Sequence, residues 1–277
     1  MHPPLVQTYI MTKLRILYAA SEIAPFLQTS AVAEWVRSLS QYMQEKGLDI
    51  RILVPKFGVI NERKNRLHEV VRFSGMNIAV GGDAHPLVIK VASIPDAKLQ
   101  VYFIDNEDYF TRKALFYDKD SRFFKDNDAR TVFFCKSVLE TVKRLEWAPD
   151  IIHCHDWVTS LIPLYLQSIY RNDHILKKAQ VIFTLYNNTF SHKFGKALLE
   201  KVNAEGLQQE DLTLLASLDF SGLIRTGIKY ADRVVKAETL QNKPFKGLVD
   251  EQITCIDNNE AGLEAYYNLY TDLAGAC

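Results

Sequence analysis

The stretch from Lys13 to Leu39, KLRILYAASEIAPFLQTSAVAEWVRSL, decides the fold. Its first part, Leu14 to Ala20, is a short run of bulky and β-branched apolar residues, the composition of a buried strand. A loop containing Pro25 follows, and beyond it Val32, Val36 and Leu39 recur at helical spacing on one face. The order is strand, loop, helix. In an open α/β sheet the loop after the first strand lies at the carboxyl edge, where such folds hold their ligands.

Working outward, Gly47 supplies a helix C-cap, and Asp49 to Pro55 reads as a second strand closed by proline. That makes a βαβ unit, right-handed and with parallel strands. Further strands are expected at Leu99 to Asp105, Pro149 to Cys154, Gln180 to Leu185 and Asp232 to Ala237. Helices are expected from Asp126 to Leu145, Trp157 to Tyr170, Lys196 to Asn203 and Gly222 to Tyr230. Between the second and third of the long strands, Val70 to Phe73 and Met76 to Val80 read as short strands, with a hairpin at Gly81-Gly82-Asp83. Asn106 to Asp128 reads as a long loop with some helical turns. Strand and helix alternate at least four times, so the fold class is α/β: a single doubly wound domain with a mainly parallel central sheet. At the end of the chain, Asn258-Asn259-Glu260 caps an amphipathic helix carrying Leu263, Tyr266, Tyr267, Tyr270 and Leu273.

Composition narrows the function. Over 277 residues Lys plus Arg and Asp plus Glu both number 33, and no basic stripe stands out, which argues against nucleic-acid binding. With 48% hydrophobic residues the chain can bury a substantial core. The cysteines Cys135, Cys154, Cys255 and Cys277 are scattered without a CxxC pair, the pattern of reduced thiols in a cytoplasmic protein. No run reaches the length of a membrane span; the apolar run after Lys13 and Arg15 is short and Glu22 ends it, so it is a strand rather than a signal peptide. Residues 1–12 read as a loosely ordered extension, with Met11 as an alternative start.

Four blocks then carry a resemblance: Lys13 to Gly47, Pro149 to Leu166 (PDIIHCHDWVTSLIPLYL), Phe183 to Asn187 (FTLYN) and Thr226 to Val235 (TGIKYADRVV). In order and spacing they resemble the first domain of the bacterial glycogen synthase and starch synthase family. Members are nucleotide-sugar glucosyltransferases with two Rossmann-like domains (the GT-B arrangement), the glucan held mainly by the first and the donor nucleotide mainly by the second. The resemblance divides the chain into the extension 1–12, a glycogen synthase-like domain 13–245 and a tail 246–277. The tail helix looks like the family's last helix, which returns to the first domain; by this reading the donor-binding domain is absent between the two.

The resemblance also places the site. In the family the first loop carries Lys, Thr and two glycines, an anion cradle in which backbone N–H groups approach phosphate. The matching positions here are Gln28, Thr29, Ser30 and Ala31, with no charge and with Cβ atoms in place of the glycines. Asp156 keeps the family's acid, and either accepts sugar hydroxyls or caps the helix after it. Val158 replaces the second histidine of that block. The family's Ile-His-Asn turn is here Leu185-Tyr186-Asn187; Tyr186 cannot act as an imidazole, and Asn187 either faces a sugar or supports a tight turn. His153 and His155 share a strand face but lack a third ligand in sequence, so no metal is expected, nor any cofactor or catalytic residue.

The first expectation is therefore a non-catalytic, single-domain relative that binds an α-glucan, a nucleotide sugar or a protein partner. The alternative is half of a split nucleotide-sugar glucosyltransferase. A homo-oligomer formed through the surface left by the missing domain is a third expectation. No nucleic-acid or membrane partner is expected.

Overall fold

A computed structural model describes residues 13–203, 207–240, 242–249 and 253–275. The extension 1–12 and Cys277 lie outside them. The first elements are β1 (Arg15–Ala19), α1 (Ala31–Glu45), β2 (Asp49–Pro55), β3 (His68–Glu69), β4 (Met76–Val80), β5 (Asp83–Ser93), β6 (Gln100–Asp105), α2 (Glu107–Phe110) and α3 (Asn127–Arg144). The second half adds β7 (Ile151–His155), α4 (Leu161–Gln167), β8 (Gln180–Leu185), α5 (Ala197–Val202), α6 (Gln209–Thr213), α7 (Phe220–Tyr230), β9 (Arg233–Lys236), α8 (Asn242–Phe245) and α9 (Glu260–Gly275).

The strands form one sheet in the order β3-β5-β6-β2-β1-β7-β8-β9, with β4 paired to β5. The six from β6 to β9 are parallel. From β1 the chain winds outward to β2 and β6, then restarts at β7 and winds the other way to β8 and β9. The switch point lies between β1 and β7, where the outgoing loops part and leave a crevice.

Burial on both faces explains why the strands read as nearly continuous apolar runs. Alternate residues of β1 and the residue after it serve two cores: Leu17 and Ala19 pack with α3, α4 and α7, and Ile16, Tyr18 and the following Ala20 pack with α1 and α9. On the first face α7 sits so close to β8 that a Cβ on Gly227 would lie 2.3 Å from Phe183 Cε1. On the second face Trp35 and Val36 of α1 and Tyr266 and Tyr270 of α9 are all buried.

Two sequence expectations change. Val71–Phe73 is a 3-10 turn, and the strand is the preceding His68–Glu69. Val70 N–H still donates to Ile89 O (2.8 Å) and Gly75 N–H to Leu87 O (2.9 Å), so the chain touches β5 on either side while 71–73 bulges outward. Val71 is 77% exposed and has no core to face. The helix expected from Trp157 is a 3-10 turn, Trp157–Thr159, and α4 begins only at Leu161. That restart places Pro163 in the first helical turn, where its missing N–H has no intrahelical partner to lose. The hairpin stands as read: Val80 pairs Asp83 across Gly81 and Gly82, whose φ angles of 61° and 92° suit a two-residue turn.

Candidate functional site

Because β1 and β7 pair from Ile16↔Ile151 to Ala19↔Cys154, their outgoing loops emerge side by side at the switch point. The loop after β8 joins them. Together they enclose a cavity of about 410 Å³ lined by Ser21, Glu22, Thr29, Ser30, residues 114–117, Phe123, Asp156, Trp157 and residues 188–190.

One wall is polar and already internally bonded. Buried Glu22 accepts through Oε2 from the Thr29 N–H (2.6 Å) and the Thr29 hydroxyl (2.9 Å), and through Oε1 from the Ser30 hydroxyl. Ser30 caps α1, its Oγ accepting from Val32 N–H at 3.3 Å. Asn188 Nδ2 donates both to Ser30 Oγ (3.2 Å) and to Asp156 Oδ2 (3.0 Å), joining the loops after β1, β7 and β8. Asp156 Oδ1 accepts from Trp157 N–H (2.8 Å). Its backbone sits at φ 68°, a left-handed conformation that costs a non-glycine residue about 1–3 kcal/mol and persists only where surroundings hold it. Burial, with a smaller contribution from nearby Glu22, pushes the Asp156 carboxyl up to about 7 against the opposing bonds from Asn188 and Trp157.

The other wall is aromatic. Phe116 and Trp157 rings lie 4.8 Å apart, Phe123 stacks on Phe190 at 4.8 Å, and Trp157 meets Phe190 edge-on at 4.9 Å. Tyr117 closes the mouth against Phe123 and is 43% exposed. Among the described lining residues there is no Lys, Arg or His. Two carboxyl groups facing aromatic rings, without a cation, suit a neutral polyhydroxyl ligand: hydroxyls donate to carboxylate oxygens while C–H faces pack on rings.

Of the positions singled out from sequence, Thr29, Ser30 and Asp156 line this cavity. Of the two roles its position allowed, Asp156 takes the capping one, Oδ1 accepting from Trp157 N–H, while Oδ2 accepts from Asn188 Nδ2. Gln28 and Ala31 are exposed and lie outside it. Asn187 donates from its backbone N–H to Glu238 (3.2 Å) and from Nδ2 to Thr239 O (3.1 Å), tying the loop to the segment after β9. Tyr186 is buried on the opposite sheet face, its hydroxyl 2.8 Å from His155 Nδ1. Val158 is buried in the core under α3 and α4.

The histidine pair also belongs to that opposite face. The rings stand 3.9 Å apart, and His153 bonds Tyr270 OH through Nδ1 (2.6 Å) and Thr184 Oγ1 through Nε2 (2.7 Å). Burial pushes His155 down to about 3 and His153 well below its ordinary range, so both are neutral members of a core network. Among the described residues no group of three His, Cys, Asp or Glu side chains is placed to hold a metal ion.

Glu22, Asn188 and the aromatic wall were not singled out from sequence. A signal existed for Glu22: an acid just beyond the apolar run that ends β1 is buried only with partners. None existed for residues 114–123, which reach the cavity from a loop without periodicity.

The model of the starch synthase catalytic domain family matches residues 15–239. The chain belongs to that family. Among curated relatives, the glycogen synthase of Chlorobium luteolum is 38% identical over 229 residues, covering 82% of this chain and 46% of that protein. The glycogen synthase of Chlorobium chlorochromatii is 41% identical over 224 residues, covering 76% and 45%. The chain thus spans about half the length of the curated relatives it matches. Among solved structures, the catalytic domain of starch synthase IV from Arabidopsis thaliana, bound to ADP and acarbose, superposes with a TM-score of 0.67 at 20% identity, over 94% of this chain and 50% of that one. This family member is therefore an α/β Rossmann-like protein matching one half of a GT-B catalytic domain. No helix among its described residues is long and apolar enough to cross a membrane.

Proposed function

We propose that this glycogen synthase-like chain binds an α-glucan in the cavity at the switch point and does not transfer glucose there. The observation that carries the reading is the cavity's charge: Glu22 and Asp156 face it and no cation lines it among the described residues. A nucleotide sugar brings a diphosphate, and placing that beside two buried carboxyls without Lys or Arg is unfavourable electrostatically. A neutral sugar meets no such repulsion. The loop that would cradle phosphate supports the same reading: Gln28 carries no charge, and Thr29 and Ser30 spend their hydroxyls on Glu22. The structural relative's acarbose is a ligand of the same polyhydroxyl class.

Titrating malto-oligosaccharides while following tryptophan fluorescence tests this, since Trp157 lines the cavity. A saturable change is expected in the parent chain, weakened about two- to tenfold by Phe190→Ala, which removes a ring worth roughly 0.5–1.5 kcal/mol in stacking. No heat or fluorescence change with glucan, or glucosyl transfer from ADP-glucose or UDP-glucose, would overturn it.

A further inference from the structure

A second groove lies on the other side of the first loop. It encloses about 680 Å³ between Pro25 and Phe26, residues 64–66 and His68, and the end of β5 with Pro95. Its lining holds Lys64, Arg66 and His68 and no carboxylate. In a chain of zero net charge this is a local excess of cation, and the loop's own acid explains it. Glu62 is turned to the side, where Lys56 Nζ (2.5 Å) and Lys90 Nζ (2.9 Å) engage it. Among the described residues no carboxylate lies within ion-pair distance of Lys64, Arg66 or His68.

The loop is built rather than loose. Asn61 Oδ1 accepts from Lys64 N–H (2.9 Å), Asn61 O accepts from the Asn65 backbone N–H (3.1 Å) and side chain (2.8 Å), and Glu62 O accepts from Leu67 N–H (3.0 Å). Arg66 is held at φ 53°, the sparsely populated left-handed region, which clusters at ligand clamps. A groove of several hundred Å³ is small-molecule size, and a few cations on a fixed turn suit one compact dianion rather than a nucleic-acid backbone.

We infer that the groove lined by Lys64, Arg66 and His68 is a binding site for a phosphomonoester, separate from the Glu22–Asp156 cavity though the two share the loop 24–30. Glu22 and Asp156 disfavour phosphate on one side of that loop, and the three cations attract it on the other.

The test titrates the full chain with inorganic phosphate, then with a hexose monophosphate and with a nucleoside diphosphate, by calorimetry and by backbone amide spectra. Saturable shifts confined to residues 61–68, 25–26 and 92–95 are expected, weakening at least about tenfold in the triple variant Lys64→Gln, Arg66→Gln, His68→Gln. Binding should also fall between about 50 and 500 mM salt, as screening predicts. The hexose and nucleotide arms decide which source of phosphate the groove prefers. If the triple variant fails to fold, Arg66→Gly removes the guanidinium while relieving the positive φ, and it should weaken phosphate binding at unchanged or higher stability. Unsaturable shifts, or equal binding by parent and folded variants, would sink the proposal. Malto-oligosaccharide binding should be unaltered in these variants, so this inference and the glucan reading fail separately.

Discussion

Asp156 is the residue on which the site's electrostatics turn. Its carboxyl is buried, held in a strained backbone, and raised from an ordinary 3.8 to about 7. A carboxyl with a raised folded-state pKa binds a proton that the unfolded chain has released. The stability it contributes is fully present below about pH 4 and is lost as pH rises through about 7. Asp156→Asn, which keeps the shape and stays neutral, is therefore expected to stabilise the protein by about 1–4 kcal/mol at pH 8 and by little at pH 4. Urea unfolding at the two pH values checks it; equal shifts at both would show that burial of charge is not the cause. The same variant leaves Oδ1 to accept from Trp157 N–H, so the turn after β7 is retained.

At the scale of elements, α9 is fixed to the sheet by more than apolar contact. Tyr270 OH meets His153 Nδ1 at 2.6 Å and Tyr18 OH at 3.1 Å, and Tyr266 OH meets Thr184 Oγ1 at 3.1 Å, all buried. Tyr270→Phe leaves His153 Nδ1 without that partner and is expected to cost about 1–3 kcal/mol, against less than about 0.5 for exposed Thr271→Ala. Thermal melts of the two variants compare them; equal small losses would show that the helix is held by apolar packing alone. The sheet was legible in the sequence because strands buried on both faces read as nearly continuous apolar runs, as Val181 to Leu185 does with Thr184 alone polar. The cavity was less so. Tyr186 follows β8 and drew attention by position, yet strand alternation sets it with Ile182 on the α1 and α9 face. Its neighbour Asn188, two residues on in an irregular loop, is the one that reaches the site. Glu22 lies more than ninety residues before the 114–123 loop and Asp156 more than thirty after it, and only the order of strands brings them together.

For the whole molecule, groups with opposite shifts shape stability against pH. His155, lowered to about 3, and His153, held well below its ordinary range by burial, stay neutral in the fold while the unfolded chain takes up protons near 6.5. Their contribution is fully present above about pH 6.5 and is lost as pH falls toward about 3. Asp156 acts in the opposite sense between about 4 and 7 and offsets one of those two protons. At the alkaline end the buried tyrosines Tyr18, Tyr186, Tyr266 and Tyr270 all resist ionisation through burial, so stability falls once the unfolded chain ionises near pH 10. Stability should therefore be broadest between about pH 7 and 10. With Asp156→Asn the offset is gone, and the acid limb should steepen by about 1.4 kcal/mol per pH unit, one proton's worth, between about pH 4 and 7. Chemical unfolding of both proteins at half-unit steps across that range measures the difference directly. Parallel limbs would mean that Asp156 is ionised in the folded protein throughout, and the charge balance argued for the cavity would have to be redrawn with a full negative charge at that position.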